Sequence, residues 1–205
     1  MNICFDWDGT LAKKDVAKEA SIRRSKNLGE LYDEDWLDDA MKDDSHFDRN
    51  KKLIEEYIGL EDEALQTQIM TNLFQFHYLG VVQDMGKDSL FKGIESLLKD
   101  LAKEHNLYVT TTLRQDIVKP SIDNLRLNQY FTDVLGNDAK LSYSKKDILH
   151  SIDKPIHYMV GDKPSDMEAG KAVDAESILV TWGTHQTYDD SKEVDTVKEL
   201  RQLLP

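Results

Sequence analysis

Two aspartates one residue apart, Asp6 and Asp8, follow the apolar run Ile3-Cys4-Phe5 and lead into Gly9-Thr10. Two more acids, Asp162 and Asp166, follow Val160-Gly161, and a threonine triplet, Thr110 to Thr112, follows Leu107-Tyr108-Val109. Each group stands where a short apolar run breaks into polar residues, as a buried strand does when it ends in a loop. In a doubly wound parallel sheet the loops beyond the carboxyl ends of the strands meet in one crevice near a topological switch point. Carboxylates gathered there repel one another and raise one another's pKa unless a cation sits among them. With oxygen donors and no histidine or cysteine grouped with them, the chemistry is that of a hard ion, Mg2+ foremost. Such an ion invites a phosphate group.

The elements that must position these residues are legible as two alternating textures. Besides the runs already named, Ile156-His157-Tyr158-Met159-Val160 and Ser177-Ile178-Leu179-Val180-Thr181 read as strands, and Phe131 to Leu135, closed by Gly136-Asn137, is a weaker fifth. Helical spacing is expected from Ser89 to Lys103, through Leu90, Ile94, Leu97, Leu98 and Leu101, and from Val194 to Leu204. Pro120 fits a helix that begins near Lys119, since a first-turn proline loses little there; in a helix already begun at Gln115 it would force a kink. Alternation of this kind predicts an α/β fold, a doubly wound, Rossmann-like parallel sheet.

Between Lys14 and Gly86 the strand-like runs disappear, and Leu53-Ile54, Tyr57-Ile58 and Leu65, Ile69, Leu73, Phe76 suit amphipathic helices. The expected division is therefore an α/β core of residues 1–13 and 87–205 carrying an all-helical insert of residues 14–86. The acid-rich patch from Asp33 to Asp44 reads as a solvated helix face.

Composition narrows the function classes. The 205 residues hold 26 Lys and Arg against 39 Asp and Glu, a formal charge of −13 that repels phosphate backbones and anionic lipid head groups alike. Nucleic-acid and membrane partners are not expected. The single cysteine, Cys4, excludes an internal disulfide and a paired-cysteine zinc site, and no run is apolar enough to span a bilayer. An acidic beginning without a long apolar run shows no export signal, so a cytoplasmic protein, monomer or homodimer, is expected.

The series Asp6-Trp7-Asp8-Gly9-Thr10, Thr111, Lys145 and Gly161-Asp162-Lys163-Pro164-Ser165-Asp166, in that order, resembles the haloacid dehalogenase-like hydrolases and among them the small-molecule phosphatases. Leu90 to Ile94 and Val180 to Gly183 look like phosphoglycolate phosphatase relatives. The likeness covers the chain outside the insert. It implies that Asp6 is a nucleophile forming an aspartyl-phosphate, and that Asp8 is the general acid and base. It implies that Thr111, Thr112 and Lys145 hold the phosphoryl group, and that Mg2+ is bound by Asp6, the Asp8 carbonyl and Asp162, with Asp166 acting directly or through water. The insert is then a cap that closes over the site and contacts the leaving group of a small phosphorylated metabolite.

Thr111 is preferred to Thr110 for its spacing to Leu125-Arg126-Leu127, and Lys145 to Lys146 because Ile148 and Leu149 then fall on the first buried helical turn. Plainer readings stand beside these. A lone aspartate after a strand is usually a turn former, the lysines fit a solvated helix start, and the threonines fit ordinary strand positions. Arg114 and Lys163 suit either phosphate or salt bridges, and His46 and His77 suit surface, core or substrate contacts. A dehalogenase needs no acid at Asp8. A phosphomutase of the same family and a receiver-like phosphoryl-binding module remain as alternatives.

Overall fold

Ile3, Cys4 and Phe5 are wholly buried because the strand they form lies inside a six-stranded sheet, covered on both faces. The computed structural model describes residues 1–27, 61–137, 143–184, 187–189 and 191–205. In chain order the elements are β1 (Asn2–Phe5), α1 (Lys14–Asn27), α2 (Glu63–Met85), α3 (Ile94–Leu101), β2 (Asn106–Arg114), α4 (Gln115–Asn124), β3 (Asp133–Asn137), α5 (Lys145–His150), β4 (Tyr158–Gly161), α6 (Pro164–Lys171), β5 (Glu176–Val180), β6 (Lys192–Val194) and α7 (Val197–Leu203). Every strand pair is parallel, in the order β3-β2-β1-β4-β5-β6. The chain steps outward from β1 to β3 and then returns to the other side of β1 with β4. The order therefore reverses between β1 and β4, the place where a doubly wound sheet opens its crevice.

Two compact units result, residues 1–14 with 85–205 and residues 15–84. The first holds the Rossmann-like sheet. Its core on one face joins Cys4, Tyr108, Leu149, Ile156, Met159 and Ala169, side chains from three strands and two helices or their flanks. The described part of the second unit is helical: α1 meets α2 through Arg23, paired with Asp84 at 2.7 Å, and Arg24, whose guanidinium stands 5.9 Å from the centre of the Phe74 ring. The acid patch from Asp33 to Asp44, His46 and the pairs Leu53-Ile54 and Tyr57-Ile58 lie outside the described residues. No helix among the described residues is long and apolar enough to cross a membrane.

Several boundaries differ from the sequence reading. The helix expected from Ser89 begins at Ile94, because Leu90 is extended and bridges Ala12 while Gly93 is left-handed (φ 93°). Val194 ends β6, an edge strand not anticipated, and α7 starts only after Thr196, whose hydroxyl accepts the Glu199 N–H at 3.2 Å. On α2 the buried residues are Gln66, Met70, His77, Tyr78, Val81 and Val82, whereas Leu65 and Phe76 of the expected stripe are exposed. That face is offset by one residue, which apolar spacing alone does not fix.

Pro120 lies inside α4, not in its first turn, because the helix starts at Gln115. It removes the N–H that would reach the Asp116 carbonyl. Replacing Pro120 by Ala restores that bond at the cost of a looser unfolded chain, for an expected net gain of about 1–2 kcal/mol in urea unfolding. A loss of stability would show that the ring's fixed φ outweighs the missing bond.

Candidate functional site

The loop after β1 is folded by one carbonyl. Trp7 is wholly buried, and its C=O accepts the N–H groups of Thr10, Leu11 and Ala12 at 3.3, 3.0 and 2.9 Å. Asp6 extends the sheet ladder by one bond, its N–H donating to the Val160 carbonyl at 2.8 Å. Its carboxylate is thereby fixed at the end of β1, beside β4. Gly9 makes the turn with φ 87°, and a Cβ there would lie 2.6 Å from the Asp162 carboxyl carbon, so no side chain fits. Asp8, half-buried, pairs through its backbone with Ala12.

Two helix starts deliver the remaining groups. In α5, Ser144 and Asp147 form a reciprocal cap: the Ser144 hydroxyl accepts the Asp147 N–H at 3.3 Å and the Asp147 carboxylate accepts the Ser144 N–H at 3.0 Å. That cap makes Lys145 the first helical residue, buried together with Ile148 and Leu149. In α6, Pro164 occupies the first turn and Asp166 accepts the Lys163 N–H at 3.1 Å.

The result is a bridged pair. Lys145 Nζ lies 2.6 Å from Asp6 Oδ1 and in still closer contact with Asp166 Oδ1. Asp162 completes the group: one oxygen from each of Asp6, Asp162 and Asp166 lies within 4.8 Å of the others. Asp162 and Asp166 are fully buried and Asp6 nearly so. Burial pushes all three carboxyls up. Lys145 draws Asp6 and Asp166 back down, and Lys14 does so for Asp162, while Asp162 pushes Asp6 up, Asp166 pushes Asp162 up, and Asp6 pushes Asp166 up. The net direction is upward, burial being the largest cause for each of the three. Burial alone pushes the Lys145 ammonium down, yet Asp6 and Asp166 outweigh it and hold the group firmly charged.

Asp162 is the exception among these acids. Among the described residues neither of its oxygens has a well-aligned hydrogen-bond donor; Lys14 Nζ pairs with it at 3.2 Å, and the charge of Lys163 also draws it down. A buried carboxylate left so poorly satisfied is costly unless a cation completes it. The donors are all oxygens, close together and anionic, which fits a hard divalent ion such as Mg2+ and not a soft one.

The three threonines after β2 have different surroundings. Thr110 points into the core, its hydroxyl 3.7 Å from Met159 Sδ, and Thr111, buried, accepts the Leu113 N–H at 3.1 Å. Thr112 is exposed. The ladder to β3 shifts register between Thr110 and Arg114, an irregularity of the sort that re-aims side chains at the rim of a site. Lys146 is exposed, and Arg114 pairs with Asp116 through both Nε and Nη2. His77 is buried in the helical unit, where burial and the charges of Arg23 and Arg24 push its pKa down. Cys4, its thiol pushed up to about 12 by burial, is an inert core residue.

Lys14 and Thr184 escaped the sequence reading. The Thr184 hydroxyl donates to the Asp162 carbonyl, and Trp182 Nε1 donates to the Thr10 carbonyl at 3.1 Å, tying the loop after β5 to the loop after β1. Trp182-Gly183 had a signal as a strand end. Lys14, beside Lys13 at a helix start, had none.

The family model of haloacid dehalogenase-like hydrolases matches residues 3–180. A phosphoglycolate phosphatase of Aquifex aeolicus is 27% identical over 195 residues, covering 88% of this chain and 84% of that protein. Among solved structures, Bacillus subtilis YfnB, bound to magnesium, superposes with a TM-score of 0.73 at 14% identity, covering 98% of this chain and 97% of its own. Rhodobacter sphaeroides CbbY, in complex with xylulose 1,5-bisphosphate, gives 0.69 at 17% identity, covering 97% and 95%. At such identities the structural likeness speaks for the fold.

Removing the bridging ammonium tests the electrostatic reading. Lys145→Met leaves Asp6 and Asp166 buried without it, a deficit of about 3–5 kcal/mol at pH 8. Carboxyls raised in the folded state bind protons more readily there than in the unfolded chain, so the deficit shrinks as pH falls toward the ordinary carboxylate range. Urea unfolding between pH 8 and 5 measures it, and a pH-independent deficit would mean that Lys145 contributes packing only.

Proposed function

The chain belongs to the haloacid dehalogenase-like hydrolases, and on that premise we propose that it is a Mg2+-dependent phosphatase of a small-molecule phosphate monoester, acting through an aspartyl-phosphate on Asp6. The observation that carries this reading is the buried Asp162 carboxylate, paired with Lys14 and otherwise without a hydrogen-bond partner among the described residues, set beside a lysine-bridged Asp6 and Asp166. That arrangement suits a cation first and a phosphate second. Asp6, Asp162 and Asp166 would hold the ion through their carboxylates and Asp8 through its backbone carbonyl. Bound there, the ion supplies positive charge against the phosphoryl oxygens.

In the first proposed step an Asp6 oxygen attacks phosphorus as the ester P–O bond breaks, and Asp8 gives its proton to the leaving alkoxide. In the second, Asp8 takes a proton from water as that water attacks the same phosphorus, releasing phosphate and restoring the Asp6 carboxylate. Lys145 keeps Asp6 ionised before attack and offsets phosphoryl charge during it. The Thr111 hydroxyl, which accepts from Leu113, retains its own proton for a phosphoryl oxygen. Thr112 is assigned a phosphate contact as well. The helical insert belongs to the same proposal as the cap that selects among leaving groups. Phosphoglycolate is the first compound to try, since the Aquifex aeolicus relative bears that name.

Asp6→Asn is expected to reduce phosphate release from any substrate to background. Asp8→Asn is expected to lose about 10²–10⁴-fold for alkyl phosphates and far less for aryl phosphates with good leaving groups. A loss that is uniform across leaving-group pKa would remove Asp8 from its role.

Carboxyls pushed up in the metal-free protein place protons in competition with Mg2+. Affinity should therefore rise with pH from above the ordinary carboxylate value and level off once the cluster is ionised. Calorimetric titration at pH 5.5 and pH 8 checks this. Equal affinity at both would contradict a proton-linked site, and full activity in excess chelator would contradict the metal altogether.

A further inference from the structure

The proposed reaction assigns Lys14 no part. Its ammonium stands 3.2 Å from Asp162 Oδ2, a carboxylate whose oxygens have no other hydrogen-bond partner among the described residues. The lysine side chain is 36% exposed while the carboxylate is fully buried, so the cation reaches in from the solvent side. Its stem passes over Gly9, where an added Cβ would come within 2.8 Å of Lys14 Cε. The same glycine that admits the Asp162 carboxyl thus leaves room for the lysine arm.

Charge counting gives the consequence. Counting ion-paired groups alone, Asp6, Asp162 and Asp166 against Lys145 and Lys14 leave one negative charge in the metal-free cluster, and Lys14 is the cation paired with Asp162. A divalent ion bonded to an Asp162 oxygen would lie about 2.1 Å from it. That ion and an ammonium at 3.2 Å from the same carboxylate would then be near neighbours of like sign. A flexible, partly solvated lysine stem can withdraw, whereas buried Lys145, held by two carboxylates, cannot.

We propose that Lys14 is a built-in competitor for the divalent ion, holding Asp162 in the metal-free protein and yielding it when metal binds. This rests on the Mg2+ reading of the site. Lys14 stabilises the empty cluster and by the same contact weakens its affinity for metal.

The test compares the full chain with Lys14→Met and Lys14→Arg by Mg2+ calorimetry at pH 8, together with thermal unfolding in chelator and in saturating Mg2+. Lys14→Met is expected to bind Mg2+ at least about tenfold more tightly and to show a larger Mg2+-induced rise in Tm. Lys14→Arg, which keeps the charge, is expected to stay within about threefold of the parent. Equal or weaker Mg2+ binding by Lys14→Met overturns the competition and leaves the metal site standing. No Mg2+ heat and no Tm shift in any of the three proteins overturns the metal reading, and this proposal with it.

Discussion

The site depends on one buried ammonium, that of Lys145. Its ammonium, buried between Asp6 and Asp166, is surrounded by more negative charge than it can neutralise. Replacing a buried ion pair by apolar side chains is often neutral or stabilising, so such a bridge is weak evidence of a contribution to stability. What it provides at position 6 is a fixed orientation and a downward pull on a carboxyl that burial pushes up. The rest of the site follows from that constraint. The Ser144–Asp147 cap is needed to begin α5 with a buried lysine, and the Lys163 N–H to occupy the second oxygen of Asp166.

The sheet supplies the rigidity this demands. Asp6 and Asp162 follow β1 and β4, neighbouring inner strands that pair directly, with Ile3, Cys4 and Phe5 opposite Tyr158, Met159 and Val160. The strand order reverses between these two, which makes their carboxyl ends the switch point of the sheet. The loop after β1 is closed on the Trp7 carbonyl and latched by Trp182, so the Asp6 loop has little freedom to relax when charge changes beside it. Groups fixed before the reaction begins need no reorganisation during it.

How much of this was readable from the residues depends on how local each signal is. Asp6, Asp8, Asp162 and Asp166 announce themselves because each stands where an apolar strand breaks, and that pattern needs only a few residues to be seen. The parallel sheet was legible for the same reason, except for β6, a short edge strand with few apolar residues. The buried face of α2 was misjudged because Gln66 and His77 are buried where a hydrophobic count expects Leu65 and Phe76. Helix starts were misplaced where backbone geometry decides: at Gly93, which is left-handed, and at Pro120, tolerated inside a helix. Lys14 was invisible in principle. Its partner is Asp162, distant in sequence, and only the closing of the sheet brings the two together.

The central claim is that Asp6 carries the phosphoryl group between ester and water. Acid-quenching the enzyme during turnover of an aryl phosphate in Mg2+, then reducing with borohydride, converts an aspartyl-phosphate to homoserine at the residue that bore it. Mass spectrometry of the digested protein is predicted to find homoserine at position 6 and nowhere else. Steady phosphate release with position 6 unmodified, or with the reduced residue at Asp8, Asp162 or Asp166, would contradict the account.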